Sequence, residues 1–440
     1  MFNHRLRKLN YSTRRMFGLP RVVSLRPRGK PVGHVLLSYL TGPFVQWPVA
    51  NYHSNYWECR QMAQTFLDLG MAVDAIDWYD KRFVPRREYR FLVDIGCNMP
   101  RLAPLVGKNC VKLMHATGKH WLFQNRAELE RLTELLQRRG VALEPRRQAP
   151  TGCAVELADC ITVLGNQMTA DTFQYTGKPV YRIPLSSAAE FPWDEAKDFD
   201  RVGHRFLWMG SSGLVHKGLD LVLEAFAGLL ELELVVCGPV DGESDFQQHY
   251  HRELYETPNI QTRGWVDVTK PEFAAIARDV AGMVYPSCSE GSAGCVIVGL
   301  HAGLIPIVSR ETGVDVDHFG IEMPHSTIDE IRHAARSLSS RSADELRQRS
   351  RAAWQRAREY FSRERFAEAF RNVVLEWLTS ATPAASALPL TLNDRGSLDV
   401  ADVNFGVRDE SLSFDVGGTG DRAQHFQNLQ SAADLSERLL

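Results

Sequence analysis

The sequence predicts an α/β protein built as two doubly wound halves in tandem, facing each other across a cleft. Three observations carry this expectation. Short apolar runs alternate with amphipathic stretches from His34 to Ile183. The same alternation restarts at Phe206 and continues to Val308. Between the two series, residues 185–203 (LSSAAEFPWDEAKDFDRVG) lose all periodicity and read as a linker. Parallel strands covered on both faces by helices appear as continuous apolar runs, which is the pattern here. A chain of 440 residues is also too long for one core.

In the first half, taken as residues 34–187, HVLLSYL reads as the opening strand. A helix is predicted over 56–69, closed by Gly70, followed by strands at 71–76, 91–95 and 110–114. A long helix over 121–139 ends at Gly140, and strands at 160–164 and 180–183 complete the set. The second half, residues 204–350, carries strands at 206–209, 232–237, 260–262, 282–285 and 305–308. Helices are predicted between them at 219–230, 246–255, 271–277 and 295–302. Helical patterning resumes at 326, and residues 351–379 present Trp354, Phe361, Phe366, Phe370, Leu375 and Trp377 on one face, expected to pack back on the two halves. Residues 380–440 hold nine acids against four bases without periodicity, and an acidic disordered tail is expected.

Composition bounds the class. Apolar residues make up 44% and charged residues 24%, the balance of a soluble globular protein. No apolar run approaches the ~18 residues of a membrane span, and no secretory leader is visible, so a cytoplasmic location is expected. The eight cysteines form no CxxC pair and read as reduced, buried thiols. Net charge is 51 − 53 = −2, yet the first 57 residues hold nine Lys/Arg and no acid. Residues 1–33 therefore read as a basic arm. With Phe2, Leu6 and Leu9 at helical spacing, it is either a peripheral contact to the inner face of a membrane or a solvated extension. No nucleic-acid motif accompanies the charge.

Two segments carry chemistry. In FLWMGSSGLVHKGLDLVLEAF (206–226) a strand ends at Gly210. The small residues Ser211, Ser212 and Gly213 follow, and Lys217-Gly218 open a helix. Small residues let the backbone approach an anion, a helix start offers free N–H groups, and Lys217 adds a mobile charge suited to phosphate. In YPSCSEGSAG (285–294) a second strand runs into a loop whose Gly291, Ser292, Ala293 and Gly294 leave room for a diphosphate against their amides. Glu290 stands at that helix's entry, where a carboxylate can serve the helix dipole or accept bonds from a vicinal diol. The bland readings are a tight turn with a solvated lysine and a dipole-capping acid.

Together and in this order, the segments resemble the donor half of retaining GT-B glycosyltransferases of the family 4-like group. The resemblance rests on Gly210…Lys217-Gly218, Cys237-Gly238-Pro239, Thr262-Arg263-Gly264-Trp265-Val266 and Pro286-Ser287-Cys288-Ser289-Glu290-Gly291. It covers residues 205–320 well and the first half loosely. It implies that Lys217 neutralises the departing diphosphate, with Gly210, Ser211 and Gly238 lining the same pocket. It further implies that the amides of 291–294 hold phosphate, Glu290 contacts the transferred sugar, and Gly264–Val266 flank the base. It implies no metal and no cofactor beyond the nucleoside-diphosphate sugar used as co-substrate. Two positions depart from the family pattern. Ser211 and Ser212 stand where an arginine is usual, and Val298 stands where a second glutamate would face the ribose.

In the first half, the resemblance points to His115, near a predicted strand end, as facing the sugar; a satisfied structural histidine is the plain alternative. His120 is a weaker rival, and Asp159 reads as a structural cap. The loop after the first strand, with Gly42, Tyr52, His53 and Asn55, is placed for acceptor contacts. The expectation is thus a hexosyltransferase-like enzyme. It would pass a sugar from a nucleoside-diphosphate donor to a saccharide or lipid-linked hydroxyl in polysaccharide biosynthesis. A GT-B-shaped nucleotide-sugar epimerase and a non-catalytic nucleotide- or sugar-binding homologue are the alternatives. A nicotinamide oxidoreductase is disfavoured, because no G-x-G-x-x-G follows the first strand.

Overall fold

The computed structural model describes residues 22–45 and 53–380. Tyr52, the first 21 residues and the tail from 381 lie outside the described residues, as do the expectations placed on them. The first sheet has seven strands: β1 (Val23–Leu25), β2 (Gly33–Tyr39), β3 (Met71–Asp77), β4 (Phe91–Asp94), β5 (Val111–Ala116), β6 (Cys160–Leu164) and β7 (Val180–Ile183). Their order is β1-β3-β2-β4-β5-β6-β7, parallel except for β1. The second sheet has six: β8 (Arg205–Met209), β9 (Glu233–Cys237), β10 (Ile260–Gly264), β11 (Gly282–Tyr285), β12 (Ile305–Ser309) and β13 (Ile321–Met323). Their order is β10-β9-β8-β11-β12-β13, parallel throughout. Each sheet reverses its winding once, between β2 and β4 and between β8 and β11.

The helices of eight or more residues are α1 (Ser54–Asp68), α2 (Trp121–Arg139), α3 (Leu219–Ala227), α4 (Pro271–Arg278), α5 (Gly294–His301), α6 (Ile328–Ser339), α7 (Ala343–Tyr360) and α8 (Arg363–Ser380). Their ends follow local chemistry. Gly140 closes α2 in the left-handed conformation at φ 67°. Thr327 and Glu330 form a reciprocal capping box at the start of α6. The helix expected over 246–255 is two short pieces, broken at Tyr250.

One departure concerns the basic arm. Residues 23–25 are not part of a free extension; they form an antiparallel edge strand on β3, with Ser24 Oγ donating to Asp74 Oδ1 at 2.6 Å. Val23 and Leu25 are buried, and two inward positions are a signal too short to stand out among arginines. The linker is anchored as well: Ser186 donates its amide and hydroxyl to the buried Glu58 of α1. The chain finally returns to the first half through α8, where Phe366 and Phe370 pack on Trp57 and Phe66. All eight cysteines are unpaired, and Cys153 is exposed rather than buried. Among the described residues no helix is long and apolar enough to cross a membrane.

Candidate active site

Ligands of open α/β sheets bind beyond the carboxyl ends of the strands where the winding reverses. In the second sheet those strands are β8 and β11. β8 delivers Gly210 to Gly218 and β11 delivers Pro286 to Gly294, so residues 73 apart in sequence meet at one point. Lys217 Nζ stands 2.7 Å from Glu290 Oε1, with their side chains 6% and 15% exposed. Tyr285 Oη donates to the same oxygen at 3.0 Å and Ser287 Oγ at 3.4 Å. Burial alone would raise the Glu290 carboxyl, but the neighbouring charges, Lys217 first and Arg147 with it, outweigh it and hold the group down to about 2. Glu290 is therefore a carboxylate at neutral pH.

Glycine makes the approach of the two loops possible. Gly218 has φ 71°, and a Cβ there would lie 2.5 Å from Pro286 O. A Cβ on Gly238 would lie 2.8 Å from Gly210 O, so Gly238 closes on the Gly210 turn. His216 fastens the loops: its Nε2 donates to Ser289 O at 2.6 Å. Burial pushes its imidazole down to about 4, which keeps it neutral. Ser211 is exposed, Val266 is buried beside the end of β10, and Val298 is packed within the core face of α5.

The expected amide cradle at 291–294 is smaller than the sequence suggested. The Ala293 amide already donates to Thr312 O at 2.9 Å. Gly291 is walled by the first half: a Cβ there would lie 2.6 Å from Thr117 O and 2.7 Å from Leu164 O. Carbonyl oxygens at that range repel an anion. Gly291 O accepts from Thr169 Oγ1, and Ser292 Oγ donates to Gly313 O. Of the four amides, only that of Ala293 has a backbone partner among the described residues; those of Gly291, Ser292 and Gly294 have none.

The first half contributes through loops. Lys119, after β5, donates from Nζ to Glu290 O at 2.7 Å and Glu311 O at 2.8 Å, and burial pushes its ammonium down to about 8. Arg147 lies against Gly213, so that a Cβ on that glycine would be 2.4 Å from Arg147 Cγ. His53 caps α1 by accepting the Asn55 amide at 3.2 Å. Its pKa is lowered by desolvation and by the charges of Arg147 and Lys217. Gly42 packs on the Tyr56 hydroxyl end. The structure thus brings Lys217, Glu290, His53 and Arg147 together.

His115 is not brought there. It is fully buried, bonds Thr162 Oγ1 through Nδ1 at 2.9 Å, and faces Tyr39 and Phe366. Burial pushes its imidazole down to about 3. The physical reason is register. β5 runs on to Ala116, so the strand exit facing Gly291 is Thr117, and His115 points into the core beneath α8. His120 caps α2 at the Leu122 amide, and Asp159 accepts the Lys112 amide at 2.7 Å. Sequence reasoning did not single out Arg147, Lys119 or Tyr285. Arg146-Arg147 in a loop without periodicity was the one available signal for the first.

The fold so defined is GT-B: two α/β sheets of seven and six strands, parallel apart from β1, with the loops after β5 and β6 of the first meeting Glu290 and Gly291 of the second. Among solved structures, the chain is similar to sucrose-phosphate synthase from Thermosynechococcus elongatus, with 14% identity over 80% of this chain and 100% of that one, TM-score 0.55. It is similar to an alpha,alpha-trehalose-phosphate synthase (UDP-forming) from Burkholderia vietnamiensis, with 10% identity over 80% and 100% of the two chains, TM-score 0.51. Anabaena HepE, solved in complex with UDP and glucose, aligns at 10% identity over 79% and 99%, TM-score 0.50. No protein-family model matches the chain. No curated protein matches it in sequence.

Proposed function

We propose that this protein is a glycosyltransferase that moves a sugar from a nucleoside-diphosphate sugar to a hydroxyl acceptor. The observation that carries the reading is the buried Lys217–Glu290 pair at the winding-reversal point, one charge suited to a departing diphosphate and one to sugar hydroxyls. Departure of the diphosphate builds negative charge beyond β8. Lys217 stabilises it there, in a site where burial strengthens electrostatics. With a sugar bound, Glu290 exchanges its lysine partner for hydroxyl donors, and Lys217 is released toward phosphate. The acceptor enters from the His53 side, on the face the leaving group vacates, so configuration is retained. The positive charge of Lys217 serves in place of a divalent metal. The likeness of fold to proteins whose names specify UDP-forming synthesis, or that were solved with UDP and glucose, supports the same donor class.

A thermal-shift screen over UDP, GDP, ADP and their sugars tests this. A true donor raises the melting temperature by mass action, and Lys217→Ala abolishes that rise. Failure of every nucleotide to stabilise the wild-type protein would refute the proposal.

A further inference from the structure

The loop that follows α2 is held as a rigid projection. Glu128 Oε1 accepts the amides of Arg146 at 2.9 Å and Arg147 at 2.7 Å, while Glu128 Oε2 accepts Gln148 Nε2 at 2.8 Å. Asn125 bonds both the amide and the carbonyl of Ala149. The helix under this loop is fixed to the second half, because Arg138 reaches Asp220 at 2.8 Å and Glu224 at 2.9 Å on α3. Residue 147 is therefore presented across the cleft by backbone contacts that do not involve its side chain.

The side chain is received by a made-to-fit surface. Gly213 has φ 86°, and any Cβ there would collide with Arg147 Cγ at 2.4 Å and Cδ at 2.8 Å. The glycine thus accommodates the arginine stem. Beyond the stem, Nε is buried without a hydrogen-bond partner. Among the described residues no carboxylate pairs with the guanidinium, although its charge acts on Glu290, His216 and His53. Its Nε is thus left without a partner beside the Lys217–Glu290 pair, and a guanidinium fork matches the oxygens of a phosphate.

The second half cannot supply this charge itself. Ser211 and Ser212 are neutral. Four of the loop's amides are already engaged: Gly213 and Leu214 donate to the Glu243 carboxylate, Lys217 to Gly213 O, and Gly218 to Val215 O. A diphosphate beyond β8 therefore gains from a second side-chain cation.

We propose that Arg147, carried by the first half, is the second cation of the diphosphate site, paired with Lys217 of the second half. This rests on the nucleoside-diphosphate reading above and extends it. Its consequence is that leaving-group stabilisation is complete only when the halves are together. Donor bound to an open cleft meets Lys217 alone, and the closed cleft adds the arginine fork.

Calorimetric titration of the full chain with UDP, GDP and ADP, and with the matching monophosphates, tests the assignment. Arg147→Ala is expected to weaken the tightest diphosphate about 10- to 100-fold, the range of one charge-assisted contact. The matching monophosphate is expected to lose less, and Arg147→Lys to recover part of the loss. An unchanged melting temperature in Arg147→Ala is expected, since the Glu128 clamp holds backbone amides. Wild-type binding to a diphosphate with Arg147→Ala binding equally well overturns the assignment alone. Wild-type binding to none of the diphosphates overturns the donor reading and this inference with it.

Discussion

Replacing Lys217 by methionine tests the electrostatics of the site without a ligand. Glu290 is held at about 2 against an ordinary 4.5, chiefly by Lys217 working against burial. At about 1.4 kcal/mol per tenfold, that difference corresponds to about 3 kcal/mol of stability. The sign follows from linkage. A carboxyl depressed in the folded state contributes stability that is present above 4.5 and is lost as pH falls through about 2. Wild-type melting temperature should therefore show no Glu290 contribution to its slope between pH 5 and 8. In Lys217→Met the burial remains and the largest favourable charge is gone, so the carboxyl moves up. Stability of the variant is then present below 4.5 and lost as pH rises through the new folded value. The gap between variant and wild type should widen from pH 5 to pH 8, toward about 3–5 kcal/mol for a stranded buried charge. Lys217→Met/Glu290→Gln should recover most of it. Melting curves on a pH series measure this. A gap that is the same at pH 5 and pH 8, or absent, would refute the claim that the two groups form a buried, coupled pair.

Three further outcomes are expected. Gly291→Ala places a methyl group 2.6–2.7 Å from two backbone carbonyls of the first half, so it should separate the halves, measured as a larger radius of gyration in solution scattering. Lys119→Met removes both bonds to Glu290 O and Glu311 O and strands the Glu290 carbonyl, while Glu311 O keeps the Glu290 amide, costing about 1–3 kcal/mol in denaturant unfolding. Burial raises Glu58 to about 7, so its contribution is fully present below 4.5 and lost as pH rises through 7; Glu58→Gln should flatten the wild-type decline in stability between pH 5 and 8.

Much of the fold was legible because buried parallel strands write themselves as apolar runs, and α2, β6, β7 and β11 have the bounds the pattern predicts. The Lys217 and Glu290 turns were legible because glycines mark strand exits, and the order of motifs along the chain mirrors the order of strands. What was not legible depends on docking. Arg147 and Lys119 lie on loops of the first half, and no local pattern says that they reach residues 66 to 192 positions away. His115 shows the opposite error. The strand was found, but its end was placed two residues early, and in a strand that shift changes which residue leaves the sheet at the cleft.

The distribution of charge follows from this geometry. Glu243 engages the Gly213 and Leu214 amides, which stiffens the loop but withdraws its backbone donors from any anion. Thr312 O does the same to Ala293. A site with part of its amides committed to its own architecture leaves more of the work on a phosphate to cations, and cations packed together in an empty site repel one another. The structure avoids that repulsion in two ways. Lys217 is neutralised by Glu290 until a ligand displaces the pair. Arg147 is mounted on the first half and lies against Gly213 of the second. On the proposed function, each device holds positive charge in reserve for a bound diphosphate, whose departure it would stabilise.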